Sequence, residues 1–143
     1  MQKTGFEKTT EEIFQERADV LYRTGEALSD ALRKLTSFGK IVDNSVEDIN
    51  TLTENEEPGT IGKLYARING EISRYNRARE YAKLRYRYLV ITREAMGFRR
   101  HTWVEEIYRI PPKKKQLSRT REQIQQAKNP DDRYSAHGER HQR

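Results

Sequence analysis

The side chains best suited to chemistry in this sequence are the basic and aromatic residues that alternate along residues 74–88. Arginine binds phosphate and tyrosine rings stack on bases, so this pattern is typical of surfaces that hold single-stranded nucleic acid. A run of three lysines at residues 113–115 adds charge that attracts polyanions without reading their sequence. The residues predicted to contact nucleic acid are Arg74, Arg77, Lys83, Arg87, Lys113, Lys114, Lys115, Arg119 and Arg121.

Patterns for catalysis or metal binding are weak. The chain has no cysteine, which excludes thiolate metal sites, disulfides and cysteine nucleophiles. His101 and Glu105 stand four residues apart, as two metal ligands on one helix would, but the sequence offers no third ligand beside them. We interpret His101 as a polar residue at a helix terminus. We therefore expect no enzyme activity, no catalytic residue, no metal or other cofactor and no small-molecule substrate.

Composition favours an elongated helical protein. The chain has 143 residues, of which 34% are hydrophobic and 35% charged, so it suits narrow apolar helix stripes better than a thick core. Its net charge of +6 resides in residues 109–143, which hold 10 Lys and Arg against 4 Asp and Glu. The longest apolar run spans residues 88–91 and the N-terminus lacks an apolar signal core, so we expect a soluble cytoplasmic protein without a membrane span.

The first predicted helix begins at a capping box formed by Thr9 and Glu12. Apolar and small residues then recur every three or four positions, which is a heptad seam. We expect one helix to about residue 54, with a break or kink at Gly39 as the alternative. Gly25 and Gly39 lie on the seam, which indicates close approach of a second helix. The seam comprises Phe14, Ala18, Leu21, Gly25, Leu28, Leu32, Leu35, Gly39, Val42, Val46 and Ile49.

A tight connection at residues 55–59 precedes the second predicted helix, with Thr60 as its N-cap, Met96 at its end and Gly97 as its C-terminal cap. Two helices of about 40 residues joined by a short loop predict a long antiparallel hairpin resembling a coiled coil. Residue i then faces roughly residue 115 − i, so acids of the first helix offset part of the arginine charge of the second. The predicted contact face comprises Ile61, Leu64, Ile68, Ile72, Tyr75, Ala78, Ala82, Tyr86, Leu89 and Met96.

From residue 81 onward the second helix carries another apolar face, nearly opposite the first. A helix with two apolar faces must be covered on both. A capping box of Thr102 and Glu105 predicts a short third helix, whose Trp103 and Ile107 fold back onto this second face. Because that helix is too short to cover the whole face, we expect a dimer or higher oligomer. The predicted interface comprises Tyr81, Leu84, Tyr88, Ile91, Phe98 and Trp103.

The sequence therefore predicts an all-α fold with two parts. Residues 1–112 form a helical hairpin or bundle, and residues 113–143 form a basic segment that is helical to residue 128 and disordered beyond it. The first functional hypothesis is a non-enzymatic scaffold or adaptor that self-associates, or binds another protein, through the second apolar face. The alternative is a nucleic-acid-binding accessory protein that uses the basic segment and the arginine-rich helix. For the arginine–tyrosine stretch itself, packing within the hairpin is the favoured interpretation.

Overall fold

The computed structural model describes residues 2–52 and 57–118, and in these residues the chain is helical or irregular, with no strand. Three helices follow one another: α1 (Gly5–Leu52), α2 (Pro58–Ala95) and α3 (Thr102–Ile107). α1 and α2 pack against each other as an antiparallel hairpin, and α3 is a short helix after it. The predicted all-α hairpin is confirmed. The part of the tail predicted to be disordered, residues 129–143, lies outside the described residues.

α1 starts earlier than predicted. Its capping box is formed by Thr4 and Glu7: the Glu7 amide donates to Thr4 Oγ1 at 3.2 Å, and the Thr4 amide donates to Glu7 Oε2 at 3.0 Å. Thr9, the predicted cap, lies inside the helix, where its hydroxyl donates to the carbonyl of Gly5 at 2.9 Å. The same four-residue motif occurs twice within residues 4–12, and the helix begins at the first because nothing between the two breaks it.

α1 is continuous through Gly39, as predicted. A Cβ atom at Gly39 would lie 3.3 Å from Cε2 of Tyr75 on α2, which confirms that this glycine permits close approach of the second helix. Gly25 has a different neighbour, since a Cβ atom there would lie 3.4 Å from the hydroxyl of Tyr108, beyond α3. The two glycines therefore accommodate one tyrosine each, from different parts of the chain.

The ends of α2 follow simple rules of backbone geometry. Pro58 is the first residue of α2, a position at which the missing N–H of proline costs no helical hydrogen bond. Thr60 therefore lies inside the helix and is not its N-cap. At the other end Gly97 has φ +93°, and the amide of Phe98 donates to the carbonyl of Arg93 at 3.0 Å. This bond closes a Schellman motif and confirms Gly97 as the C-terminal cap.

The chain divides into two compact units, which are described separately. The first contains Met1–Lys40 and Arg74–Lys114. Its core cluster is Leu28, Leu89 and Val104, all buried, and Val104 has no exposed surface. Half-buried residues that pack around this cluster are Leu21, Leu32, Tyr86 and Tyr108.

The second unit contains Ile41–Ser73 and the residues from Lys115 onward, and its described part ends at residue 118. It holds a narrow stripe of aliphatic side chains, contributed by α1 and α2 at helical spacing. Its buried apolar residues are Val42, Ile49, Ile61, Ile68 and Ile72.

Two expectations about α3 are wrong. The helix spans only Thr102–Ile107, its N-cap position is His101, and no side chain caps it. It packs through Val104 against Leu28 and Leu89, which places it over the seam between α1 and α2 instead of over the second face of α2. Ile107, the last residue of α3, is exposed.

Residues 113–118 are also not helical. They continue an irregular segment that starts after α3 and is held by side chains of α2. The remainder of the stretch predicted to be helical, up to residue 128, lies outside the described residues.

Candidate interaction surface

The second apolar face of α2 is exposed in the first unit. Tyr81, Leu84, Tyr88 and Ile91 follow one another at intervals of three, four and three residues, so they share one side of the helix. Leu84 is 39% exposed and Ile91 is 53% exposed. The buried residues of the same stretch, such as Leu89, lie on the opposite side. Among residues 2–52 and 57–118, nothing covers the residues predicted to form the interface sufficiently to bury them.

An apolar groove of about 470 Å³ lies beside this face, between α1 and α2 of the first unit. Ile13 and Val20 of α1 border it, and both are exposed. From α2, Ile91 and Met96 contribute. The full lining is Ile13, Glu16, Arg17, Val20, Ile91, Thr92, Ala95 and Met96.

The start of α1 adds exposed apolar surface. We call residues 5–20 of this helix the N-terminal arm. Ile13 and Val20 of the arm border the groove near the end of α2. Phe14, predicted to lie on the seam, is exposed, together with Phe6 and Ile13. The predicted seam is covered only from Leu21 onward.

Phe98 and Trp103 have a role that the sequence did not reveal. Their rings lie against the guanidinium of Arg93, whose Cζ is 4.9 Å from the Phe98 ring centre and 4.6 Å from that of Trp103. Arg93 is 6% exposed and occupies the core-side position four residues after Leu89. The spacing of Arg93 from Leu89 indicates a position on the core side of the helix, but arginine is rarely predicted to be buried. Phe98 and Trp103 keep about half of their surface exposed.

His101 connects this cluster to its surroundings. Its Nδ1 accepts a hydrogen bond from Nε of Arg93 at 3.3 Å, and its Nε2 lies 3.3 Å from Oε1 of Glu94. Arg93 also donates to the carbonyl of Arg100 at 3.2 Å. In the described residues no group of three or more metal-ligating side chains occurs. His101 is thus a polar junction residue in the turn between α2 and α3.

The arginine–tyrosine stretch is organised partly by contacts within α2. Both Nε and Nη2 of Arg85 donate to the hydroxyl of Tyr81, at 2.9 and 2.7 Å, and the guanidinium lies over the rings of Tyr81 and Tyr88. Asp30, the predicted neighbour of Arg85 across the hairpin, instead pairs with Arg33 on its own helix. The charges are therefore satisfied locally more than across the hairpin.

The basic residues predicted to contact nucleic acid fall into three groups. Arg74, Arg77, Lys83 and Arg87 are exposed on α2, and Lys115 is exposed beyond it. Lys113 pairs with Glu80 at 3.6 Å, and Lys114 lies 5.0 Å from the ring centre of Tyr75. Arg119 and Arg121 lie outside the described residues. Part of the lysine run is accordingly engaged by α2.

Comparisons of the chain with known protein families, with curated proteins and with solved structures give no significant match. Among the helices of the described residues, none combines the length and the apolar character needed to cross a bilayer. The features that bear on function are therefore the exposed apolar face, the groove beside it and the contacts that α2 makes with the segment after α3.

Proposed function

We propose that this protein is a non-enzymatic helical scaffold or adaptor that self-associates through the second apolar face of α2. The observation that carries the proposal is the exposure of Tyr81, Leu84, Tyr88 and Ile91 on one side of the helix, beside an apolar groove. Contiguous apolar surface of this kind marks interaction sites in water-exposed proteins.

A second copy of the chain is the partner that best fits this surface. Copies related by a two-fold axis present the same face to each other, so an apolar stripe on one helix meets an identical stripe. Two antiparallel hairpins packed in this way form a four-helix arrangement, which buries side chains that a single pair of helices leaves exposed. The N-terminal arm, with Phe6, Ile13 and Phe14 exposed, supplies further area for the same contact.

Stable self-association requires a large apolar contact area. Burial of apolar surface stabilises association by about 25 cal/mol per Å², before the cost of ordering two molecules. A stable interface buries roughly 800 Å² on each partner, which takes more than one helical face of four residues. The α2 face, Phe98, Trp103 and the arm together provide an apolar surface that extends beyond one helix.

Leu84→Glu combined with Ile91→Glu tests the proposal. The two charges fall in the centre of the face, and burying an unpaired carboxylate is strongly unfavourable, so we expect the oligomer to dissociate into monomers. Both residues are exposed in the single chain, so the helical content should stay unchanged. The measurements are molar mass by light scattering and helicity by circular dichroism.

Ser37→Glu with Asn44→Glu is the matched control. These positions are also seven residues apart, exposed and helical, and the change in net charge is the same. The control should retain the mass of the unmodified chain. A doubly substituted α2 variant that keeps both its mass and its helicity would contradict self-association through this face.

The alternative, binding of nucleic acid, is supported by a different observation. Arg74 and Arg77 border a second groove of the first unit, of about 380 Å³, together with Tyr81. Phosphates held there would release counterions, so affinity for labelled RNA or DNA should fall steeply as salt rises, and Arg74→Gln with Arg77→Gln should reduce the slope. Affinity insensitive to both changes would contradict this alternative.

A further inference from the structure

The segment after α3, which we call the strap (residues 110–118), is held by its backbone. In the first unit, Nδ2 of Asn76 donates to the carbonyl of Lys114 at 2.9 Å, and the amide of Lys114 donates to Oδ1 of Asn76 at 3.0 Å. One carboxamide thus satisfies both polar backbone groups of one strap residue. Such a contact recognises an extended main chain and leaves the choice of side chain open.

Two neighbours of Asn76 extend this backbone recognition. Nε of Arg79 donates to the carbonyl of Pro111 at 2.7 Å, and the hydroxyl of Tyr75 donates to that of Pro112 at 3.2 Å. Proline residues have no N–H to donate, so a site that donates hydrogen bonds to their carbonyl groups satisfies their only polar backbone group. The face therefore contacts main-chain atoms of three strap residues.

Two further contacts select for lysine side chains. Glu80 pairs with Lys113, and the ring of Tyr75 lies under the ammonium of Lys114. A carboxylate and an aromatic face are both attractive to cations. The chemistry of the preferred occupant is thus an extended, proline-led segment with consecutive lysines.

The second unit repeats the asparagine contact independently. Nδ2 of Asn69 donates to the carbonyl of Leu117 at 3.0 Å, and the amide of Leu117 donates to Oδ1 of Asn69 at 2.7 Å. Asn69 precedes Asn76 by seven residues in α2, and Leu117 follows Lys114 by three in the strap. Each unit thus binds one strap residue through the carboxamide of an α2 asparagine, so this contact is not peculiar to Asn76.

The strap can leave α2 with little loss of buried apolar surface, although the buried Tyr75 then loses its contacts with Pro112 and Lys114. Among the described residues 110–118 none is buried, whereas Val104, just upstream in α3, has no exposed surface. Segments held by exposed hydrogen bonds and few apolar contacts open at low free-energy cost. α3 therefore stays anchored while the strap exchanges.

We propose that the face of α2 formed by Tyr75, Asn76, Arg79 and Glu80 is a binding site for an extended, lysine-bearing segment of a partner protein. The strap is its intramolecular occupant, and a partner segment of the same chemistry displaces it. The site is distinct from the exposed apolar face, so it does not depend on self-association.

A peptide with the sequence of residues 110–117, labelled with fluorescein, tests this proposal by anisotropy. The receptor is the full chain carrying Lys114→Pro and Leu117→Pro. These substitutions remove the two strap N–H groups that donate hydrogen bonds to α2, and they leave α2 itself unchanged. Because the tethered strap competes in the unmodified chain, the peptide should bind the proline variant at least about tenfold more tightly. Adding Asn76→Ala should weaken that binding about tenfold, and Asn44→Ala, a control on α1, should not.

A scrambled peptide of the same composition separates recognition of the order of prolines and lysines from attraction by charge alone, and it should bind about tenfold more weakly. Equal binding of the two peptides, no effect of Asn76→Ala, or no binding by a proline variant of normal helicity would each overturn the proposal. Hydrogen exchange in the unmodified chain provides an independent readout. The Lys114 amide should be protected, and Asn76→Ala should remove that protection; an unprotected amide would overturn the proposal as well.

Discussion

Gly39 and Tyr75 show how single residues set the distance between the two long helices. The ring of Tyr75 is buried, and its hydroxyl is tied to the carbonyl of Pro112. It lies so near Gly39 that even a methyl group there would be in tight contact at 3.3 Å. Because the ring is held from two sides, it cannot move away without losing packing or a hydrogen bond.

Gly39→Ala should therefore destabilise the fold despite the better helix propensity of alanine. Overpacking of this kind costs about 1–3 kcal/mol. Gly70→Ala is the control: Gly70 is exposed in α2 with open space around it, so this change should stabilise by about 0.5–1 kcal/mol. Urea unfolding followed by circular dichroism measures both. Equal stabilisation by the two substitutions would show that Tyr75 does not restrict Gly39.

Arg93 illustrates what residue-level reasoning misses. A cation at a core-side position is normally excluded from a predicted core, since burying a charge is costly. Here two aromatic rings, an imidazole nitrogen and a backbone carbonyl surround the guanidinium. These partners come from the turn after α2 and from α3, and the sequence alone does not bring them together.

At the scale of elements, helix boundaries were predictable where a local motif defines them. Gly97 was predicted as a cap and adopts the positive φ that the motif requires. The start of α1 was not, because Thr4 and Thr9 both precede a glutamate by three residues. The strap was not predictable either, since the side chains that hold Lys114 and Leu117 lie 38 and 48 residues away in sequence.

The packing of α3 against α2 gives the hairpin a dependence on pH. Burial raises the pKa of the Tyr86 phenol above 10.0, and the carboxylate of Glu105 on α3 acts in the same direction. The folded state thus holds this proton more tightly than the unfolded state does. The contribution of Tyr86 to stability is complete below pH 10 and is lost as the pH rises through the raised pKa.

Tyr86→Phe removes that dependence. The free energy of unfolding of the unmodified chain should fall more steeply above pH 10 than that of the variant. Tyr22→Phe, at an exposed position, should follow the unmodified chain. Urea titrations at pH values on either side of 10 measure the difference, and parallel curves for all three chains would contradict the account.

At the scale of the whole molecule, composition and periodicity predicted the class of fold and the register of the hairpin. Periodicity also identified the second apolar face, because a helix with two stripes shows both in its sequence. It did not reveal which stripe α3 would cover. Trp103 and Val104 are adjacent and both apolar, and Val104 is the one that is buried, against Leu28 and Leu89.

The sequence locates the excess positive charge, but it does not show which residues of the hairpin that charge contacts. The excess of +6 lies in residues 109–143. In the described part of that stretch, Lys113 and Lys114 contact α2 through Glu80 and Tyr75. A basic run predicted to be helical and to bind nucleic acid is thus partly an irregular segment in contact with α2.

Sedimentation equilibrium of the unmodified full-length chain tests the central claim most directly. The chain has a mass of 17.0 kDa. Self-association through the second apolar face predicts a mass of at least twice this value, falling towards the monomer only on extensive dilution. A mass that stays at 17.0 kDa over the whole range of concentration would contradict the account.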